Sequence, residues 1–493
     1  MIIANCKLQI RRWLRGVRLS APSLITRRLT PLGSPVVLFL WCVFLFGYGL
    51  STGTLYRTEA LRALIGREAL NGSWIVPTLY GEPFLTKPPG MYLAIAACSA
   101  PFGEVTAVSA RLPSVIAATL VVFLFYFTFA QVFERRLALL GAMLMPVSAL
   151  WLDKAPSAEI DMLQVFWVAA AILFMHRALE PANSSPTTWW LLSFLCVAGG
   201  FLTKWTAPAF FYLTLVPYLA WRGKLLFLWS WRHLAGIGLV MGIVGLWVTA
   251  VVDRVGWPIL RDTVLAEATQ RFAPHHGGRS YPWLESLSYP FMILIANLPW
   301  SIGALWTLRP SFIRSLNEPS QRLLILFHCW TWPNLLFWAL PAQHHVRYSL
   351  PMCPGLIGLG VMVALQSLRC AKPSSRGFTR AVGATLVLWV VVKIAYVEFI
   401  LPPRTATRQV RETAGRIAEL VPPNEVLYLG RLKDEGIMFY YNRPARRMAE
   451  ATSPVYALLL EAEWQALAAT RPLEVIERLR DQQGAPIVLV RLP

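Results

Sequence analysis

Long apolar runs recur from Pro35 to about residue 401, most of them near the roughly 20 residues that a helix needs to cross about 30 Å of hydrocarbon. A chain in a bilayer must satisfy its backbone hydrogen bonds internally, so runs of this kind fold as helices. The candidate spans are about 35–52, 113–132, 137–152, 162–177, 188–203, 207–221, 233–252, 289–306, 322–340, 349–366 and 380–401. The expected fold class is an all-α polytopic membrane protein with about 11–13 transmembrane helices. Composition agrees: the 493 residues are 56% hydrophobic and 15% charged, with mean hydropathy +0.50, whereas soluble domains are about 25% charged.

The net charge of +20 invites a nucleic-acid reading, but the basic residues sit in short segments between the apolar runs. That is where the positive-inside rule expects them, so no nucleic-acid partner is implied. With the basic amino-terminal segment inside as an uncleaved anchor, alternation places Arg135, Arg136, His176, Arg177, Arg222, Lys224 and Arg232 on the cytoplasmic side. It places Arg309, Arg314, Arg322, Arg369, Lys372, Arg376 and Arg380 there too. The seven cysteines lie almost entirely in or beside apolar segments, and none follows residue 401, so no disulfide framework or Cys-based metal site is indicated.

The loops that fall outside, 53–112, 153–161, 253–288 and 341–348, mix carboxylates, His, Arg, Lys and aromatics. Within the first, Met91 to Phe102 is apolar but short, which predicts a helix at the interface or buried in protein. After residue 401 the pattern becomes that of a small α/β domain. A helix is predicted over Arg408–Leu420, strands over Glu425–Leu429, Val455–Leu460 and Pro486–Arg491, and a helix over Leu473–Asp481. Three regions follow: a basic cytoplasmic segment 1–34, a transmembrane part 35–401 with a large first outer loop 53–112, and an extramembrane domain 402–493.

Several charged residues in the outer loops are placed for chemistry. Glu59, just beyond the first span, is either a general base acting at the membrane surface or an exposed helix residue paired with Arg62. Lys87 precedes Pro88 and Pro89, which hold the backbone out of helix, so its ammonium is offered either to an anionic ligand or to headgroups. Glu159 and Asp161 stand at the mouth of two spans, where carboxylates are costly unless paired or wet; Asp161 also fits a helix cap. Lys204 ends a span and has the same two readings as Lys87. Arg347 and Tyr348 together suit phosphate oxygens. His344 and His345 are sequence neighbours, which rarely converge on one ion, and His275 and His276 are read the same way. No phosphate-binding glycine loop, HExxH or nucleophilic-serine motif occurs.

In order along the first loop, these stretches are a carboxylate-bearing helix, Gly72-x-Trp74-x-x-Pro77, Lys87-Pro88-Pro89 and Arg111-Leu112-Pro113-Ser114. The Glu159/Asp161 pair, Leu202-Thr203-Lys204 and Arg347-Tyr348 follow. The set resembles membrane glycosyltransferases of the GT-C fold, in the bacterial branch of lipid A aminoarabinose transferases and protein O-mannosyltransferase relatives, a family 39-like group, over about residues 35–370. The resemblance implies a multi-pass protein of the bacterial inner membrane that moves a sugar from a polyprenyl-phosphate donor to an acceptor at the periplasmic face, by inverting single displacement. The acceptor classes it implies are a lipid such as lipid A, another glycan, or a protein hydroxyl. By position, Glu59 and Asp161 would be catalytic or line the pocket with Arg62 and Glu159, and Lys87, Lys204, Arg347 and Tyr348 would contact the donor phosphate. Two departures stand out: Thr58-Glu59 replaces the family's Asp-Glu, and Thr86 replaces a Glu before Lys-Pro-Pro. The family's Glu at that place is a proposed metal ligand, so with Thr86 there no cofactor is firmly indicated, although a divalent cation is compatible.

A transporter or flippase of a lipid-linked or amphiphilic substrate is the competing reading, because it also needs many spans and intramembrane charge. Such proteins place charge near the midplane on broken helices, whereas these residues cluster in loops. A non-catalytic scaffold or sensor is the third.

Overall fold

The computed structural model describes residues 33–181, 183–272, 281–370, 376–448 and 455–492. The amino-terminal basic residues, His275, His276 and Lys372 lie outside that set. Six described helices are long and apolar enough to cross a membrane: Ala107–Phe129, Ile160–Leu179, Pro186–Thr203, Trp231–Val255, Val346–Arg369 and Thr379–Leu420. Trp283–Ala296 and Trp300–Trp306 meet at 106° and would together make a seventh. Glu318–Trp338 is as long but less apolar, and the remaining apolar runs form shorter or interrupted helices. The 137–152 stretch, for example, divides into Arg135–Leu144 and Ala149–Lys154 around Pro146, which has no amide proton to continue a helix.

Each buried stripe follows from sequence. The Ile160–Leu179 helix is apolar nearly all round and is buried on most sides between its neighbours. Trp231–Val255 instead exposes Leu234, Met241 and Leu246, as a lipid-facing helix does. Two ends of the bundle can be told apart by charge. The Ile160–Leu179 helix carries Asp161 in its first turn and His176 in its last, about 1.5 Å per residue apart along the axis. At the His176 end, the Glu180 carboxylate accepts from Arg322 at 2.9 Å and Arg222 at 3.4 Å. Loops that alternation assigned to one side therefore do meet.

At the other end lies the first loop. Thr58–Leu70 packs on Gly90–Ser99, the short apolar helix expected there, which buries Met91, Tyr92 and Ile95. Tyr80 and Gly81, with φ of 58° and 83°, turn a small hairpin between Thr78–Leu79 and Glu82–Pro83. The C-terminal unit sits on this loop. Its five-stranded sheet runs in the order Ala445–Arg447, Leu427–Leu429, Val455–Leu460, Pro486–Leu492, Glu474–Arg480, with the first three parallel and the last two antiparallel additions. One apolar cluster joins Leu55, Ile65 and Ile95 of the loop to Ile417, Ile437 and Leu489 of that unit.

The helix expected over Leu473–Asp481 is instead the edge strand Glu474–Arg480. Its spacing of Leu473, Ile476 and Leu479 mimics a helix. A register shift between Val475 and Glu477 lets those positions pack while the segment pairs with the buried Pro486–Leu492 strand. Pairing outweighs local propensity, and the charged side chains keep the outer edge from further pairing.

Candidate functional site

The Lys87 segment reaches the site because Gly90 has no side chain. A Cβ there would stand 2.8 Å from the Leu202 carbonyl and from Thr203 Oγ1, so the loop can lie against the end of Pro186–Thr203. The Trp205 indole donates to the Thr86 carbonyl at 3.1 Å and fastens the same contact. Lys204, at the C-terminal cap of that helix, then faces the first turn of Ile160–Leu179. Each charge complements the helix end that carries it. Lys204 Nζ donates to Asp161 Oδ1 at 2.7 Å, and both side chains are almost wholly buried.

A cavity of about 270 Å³ opens here, lined by Arg62, Lys87, Glu159, Asp161, Lys204, Glu267, Gln343, Arg347 and Tyr348, with Thr58 at its wall. Lys87 is ion-paired with Glu267 of the Trp257–Phe272 helix. Arg62 donates to the Tyr92 hydroxyl. The Tyr348 ring lies 5.3 Å from Lys204 Nζ and 5.8 Å from the Arg347 guanidinium. Seven of the eight residues singled out from sequence thus meet in one place.

Glu59 does not share it. Successive helical residues point about 100° apart, so Thr58 faces this cavity while Glu59 turns into a second one of about 170 Å³. There its carboxylate accepts from Arg111 Nε at 3.2 Å and from the Ala158 amide at 2.9 Å. Arg111 in turn donates to the carbonyls of Leu50 and Thr52. The partner of Glu59 is Arg111 rather than Arg62.

Glu159 borders both cavities. Thr58 Oγ1 donates to its Oε1 at 3.1 Å, and Lys154 and Arg347 approach its Oε2 at 3.2 and 3.4 Å. A carboxylate thus stands beside the hydroxyl of Thr58. Burial disfavours the Lys154 ammonium, but Glu159 and Asp153 more than offset this and hold it above the usual lysine range. Arg57, preceding this turn, has φ of 44°, a strained setting that helps the chain to enter the helix here.

Beside the first cavity runs an apolar cleft of about 370 Å³ lined by Phe201, Trp205, Ala209, Val264, Phe337 and Trp338, with Glu267 common to both. Sequence reasoning missed Glu267, Gln343 and the second cavity's Lys393, Arg404 and Arg408. Lys393 carried a usable signal, being an ionisable residue inside an apolar span. His344 Nε2 lies 3.0 Å from the Ala339 carbonyl, and its ring packs on Tyr289. Among the described residues no group of three or more His, Cys, Asp or Glu could hold a metal ion.

This is the GT-C fold of membrane glycosyltransferases. ArnT from Cupriavidus metallidurans bound to undecaprenyl phosphate superposes with a TM-score of 0.74 at 17% identity, covering 94% of this chain and 98% of that one. Its apo state gives 0.70 at 16%, covering 93% and 98%. The apo oligosaccharyltransferase of Archaeoglobus fulgidus gives 0.50 at 13% identity, covering 86% of this chain and 65% of that one. In sequence, residues 86–248 match the dolichyl-phosphate-mannose-protein mannosyltransferase family. No curated protein matches the chain in sequence.

Proposed function

We propose that the protein is a glycosyltransferase that moves a sugar from a polyprenyl-phosphate donor to an acceptor hydroxyl. The observation that carries this reading is the cation-lined cavity adjoining an apolar cleft at Glu267. A prenyl tail gains about 0.8 kcal/mol per CH₂ buried, so a lipid donor would lie in the cleft with its phosphate among Lys87, Arg62, Lys204 and Arg347. The matched segment contains Lys87, Glu159, Asp161 and Lys204, and the similar ArnT structure holds undecaprenyl phosphate.

In the reaction, an acceptor oxygen attacks the anomeric carbon as the carbon–oxygen bond to phosphate breaks. The leaving phosphate keeps the electron pair, and the cations stabilise its charge in a site poor in water. Glu159 takes the acceptor proton, because it reaches both cavities and Thr58 orients it. Asp161 orients Lys204, and Glu59 braces Arg111 and the loop at Ala158. One displacement inverts the anomeric centre. We place the reaction at the periplasmic face of a bacterial inner membrane, with the amino terminus cytoplasmic and residues 402–493 periplasmic. The charged groups lie at helix ends, which favours this reading over a transporter with midplane charge.

The test is transfer of radiolabelled sugar from polyprenyl phosphate in vesicles at matched protein level. Glu159→Gln should lose about 10²–10⁴-fold in rate, and Lys87→Gln should lose donor affinity. Absence of transfer by the unmodified protein from every polyprenyl-phosphate sugar sinks the reading. A loss with Glu59→Gln as deep as with Glu159→Gln would return the base role to Glu59.

A further inference from the structure

The Thr58–Leu70 helix begins without a cap of its own. Arg57, the residue that flanks its first turn, lies at φ 44°, a region that side chains with a Cβ seldom enter, and makes no side-chain cap. The amide of such a flanking residue is commonly taken by a Glu or Gln three positions on, but Ala60 stands there and has no acceptor. Gln482, 425 residues further along the chain, fills that role: its Oε1 accepts from the Arg57 amide at 3.5 Å. The Gln482 side chain is buried, and its Nε2 has no hydrogen-bond partner among the described residues, a cost accepted with the oxygen turned to Arg57.

Gln482 is itself fixed through its backbone. Its amide donates to Asp434 Oδ2 at 2.8 Å, while Asp434 Oδ1 caps the Glu435–Tyr441 helix through the Ile437 amide at 3.0 Å. One carboxylate thus ties Gln482 to the helix that carries Tyr440, whose hydroxyl accepts from the Leu55 amide at 3.0 Å. Arg408 stacks on Tyr56, its guanidinium carbon 3.7 Å from the ring centroid, so Leu55, Tyr56 and Arg57 are each held by the chain beyond residue 401. Gly436 makes room for this: a Cβ there would stand 2.7 Å from Gln482 Oε1 and 3.3 Å from the Leu55 carbonyl oxygen. We infer that Gln482 is a positioning residue, which clamps Arg57 in its strained backbone from the C-terminal unit and so sets the helix phase that sends Thr58 to Glu159 and Glu59 to Arg111. Without the Gln482 oxygen, Arg57 relaxes toward negative φ and the first turn rotates away from both cavities. The clamp stands without the transferase reading. Its effect on turnover rests on that reading, because Thr58 orients the carboxylate that takes the acceptor proton.

The experiment uses the purified full-length protein in detergent, with hydrogen exchange read by mass spectrometry over residues 53–62 and, for comparison, over the Val455–Leu460 and Pro486–Leu492 strands. Gln482→Met keeps the length of the side chain and removes the acceptor. It should speed exchange over residues 53–62 roughly tenfold and leave both strands protected. Gly436→Ala should do the same by pushing the Gln482 amide off Arg57, although alanine is the better helix former. In vesicles, transfer of radiolabelled sugar from polyprenyl phosphate by Gln482→Met should fall roughly tenfold in kcat with the donor KM unchanged, since the cations around Lys87 are untouched. Adding Arg57→Gly to Gln482→Met should restore most of that kcat, because glycine holds a positive φ without a clamp. Unchanged exchange over residues 53–62 in Gln482→Met overturns the inference. So does loss of protection in the two strands, or a kcat that Arg57→Gly fails to restore. Faster exchange confined to residues 53–62, in a protein whose unmodified form transfers no sugar, would support the clamp and defeat the transferase reading instead.

Discussion

Replacing Lys204 by Gln should destabilise the protein more than replacing Lys204 and Asp161 together. The two groups are 2.7 Å apart with side-chain exposures of 4% and 3%. Removing the ammonium leaves a carboxylate with little water to solvate it, a loss of about 3–5 kcal/mol when one partner of a buried pair is removed. The double variant Asp161→Asn with Lys204→Gln replaces both charges by amides that can hydrogen-bond across the same gap, and should recover most of that loss. Unfolding midpoints in mixed micelles, measured for both singles and the double, close a thermodynamic cycle. Retention of polyprenyl phosphate by the double variant then separates folding from binding, because its stability returns while its grip on the donor phosphate does not. Single variants each within about 0.5 kcal/mol of the unmodified protein would show that water reaches the pair, and would refute the reasoning. A double variant no more stable than Lys204→Gln would refute it equally.

At the opposite end of the bundle, Glu180→Gln should cost about 3–5 kcal/mol by stranding Arg322 and Arg222, while leaving retention of polyprenyl phosphate intact in whatever protein folds. Ala209→Phe, which fills the apolar cleft, should weaken binding of long prenyl phosphates while sparing a short-chain analogue; equal loss for both would place the tail elsewhere. Asp434 is buried and accepts the amides of Ile437 and Gln482, and burial pushes its carboxyl up from 3.8 to about 6. Its folded value lies above the unfolded one, so the native state holds the proton more tightly and stability falls as pH rises from about 4 to about 6, by about 3 kcal/mol in all. Thermal unfolding against pH should show that slope in the unmodified protein and not in Asp434→Asn.

The sequence made the spans and the cavity's cations legible for one physical reason: apolar length and charge at span ends are local properties. Lys87, Asp161 and Lys204 could be picked out because each stands at a span end or before a proline, and Arg347 and Tyr348 because they adjoin in a loop. Their partners could not. Glu267 meets Lys87 across 180 residues, and Arg111 meets Glu59 across 52, distances over which spacing says nothing. The separation of Thr58 from Glu59 depends on the helix phase at its first turn, which is set by the unusual backbone of Arg57. The final edge strand was misread because three apolar residues at helical spacing also suit a bulged strand.

The apolar cluster shared by the first loop and the C-terminal unit joins an early part of the chain to a late one. The amide of Leu55 donates to the Tyr440 hydroxyl across 385 residues of chain, and Arg67 donates to the Phe439 carbonyl across 372. On the ribosome, the loop bearing Thr58 and Glu59 emerges among the first segments, but the surface on which it settles is among the last. At about 5–20 residues per second, that interval is tens of seconds, during which the loop's apolar face has no native cover. A chain ending before residue 439 would lack both contacts that flank the turn between the two cavities.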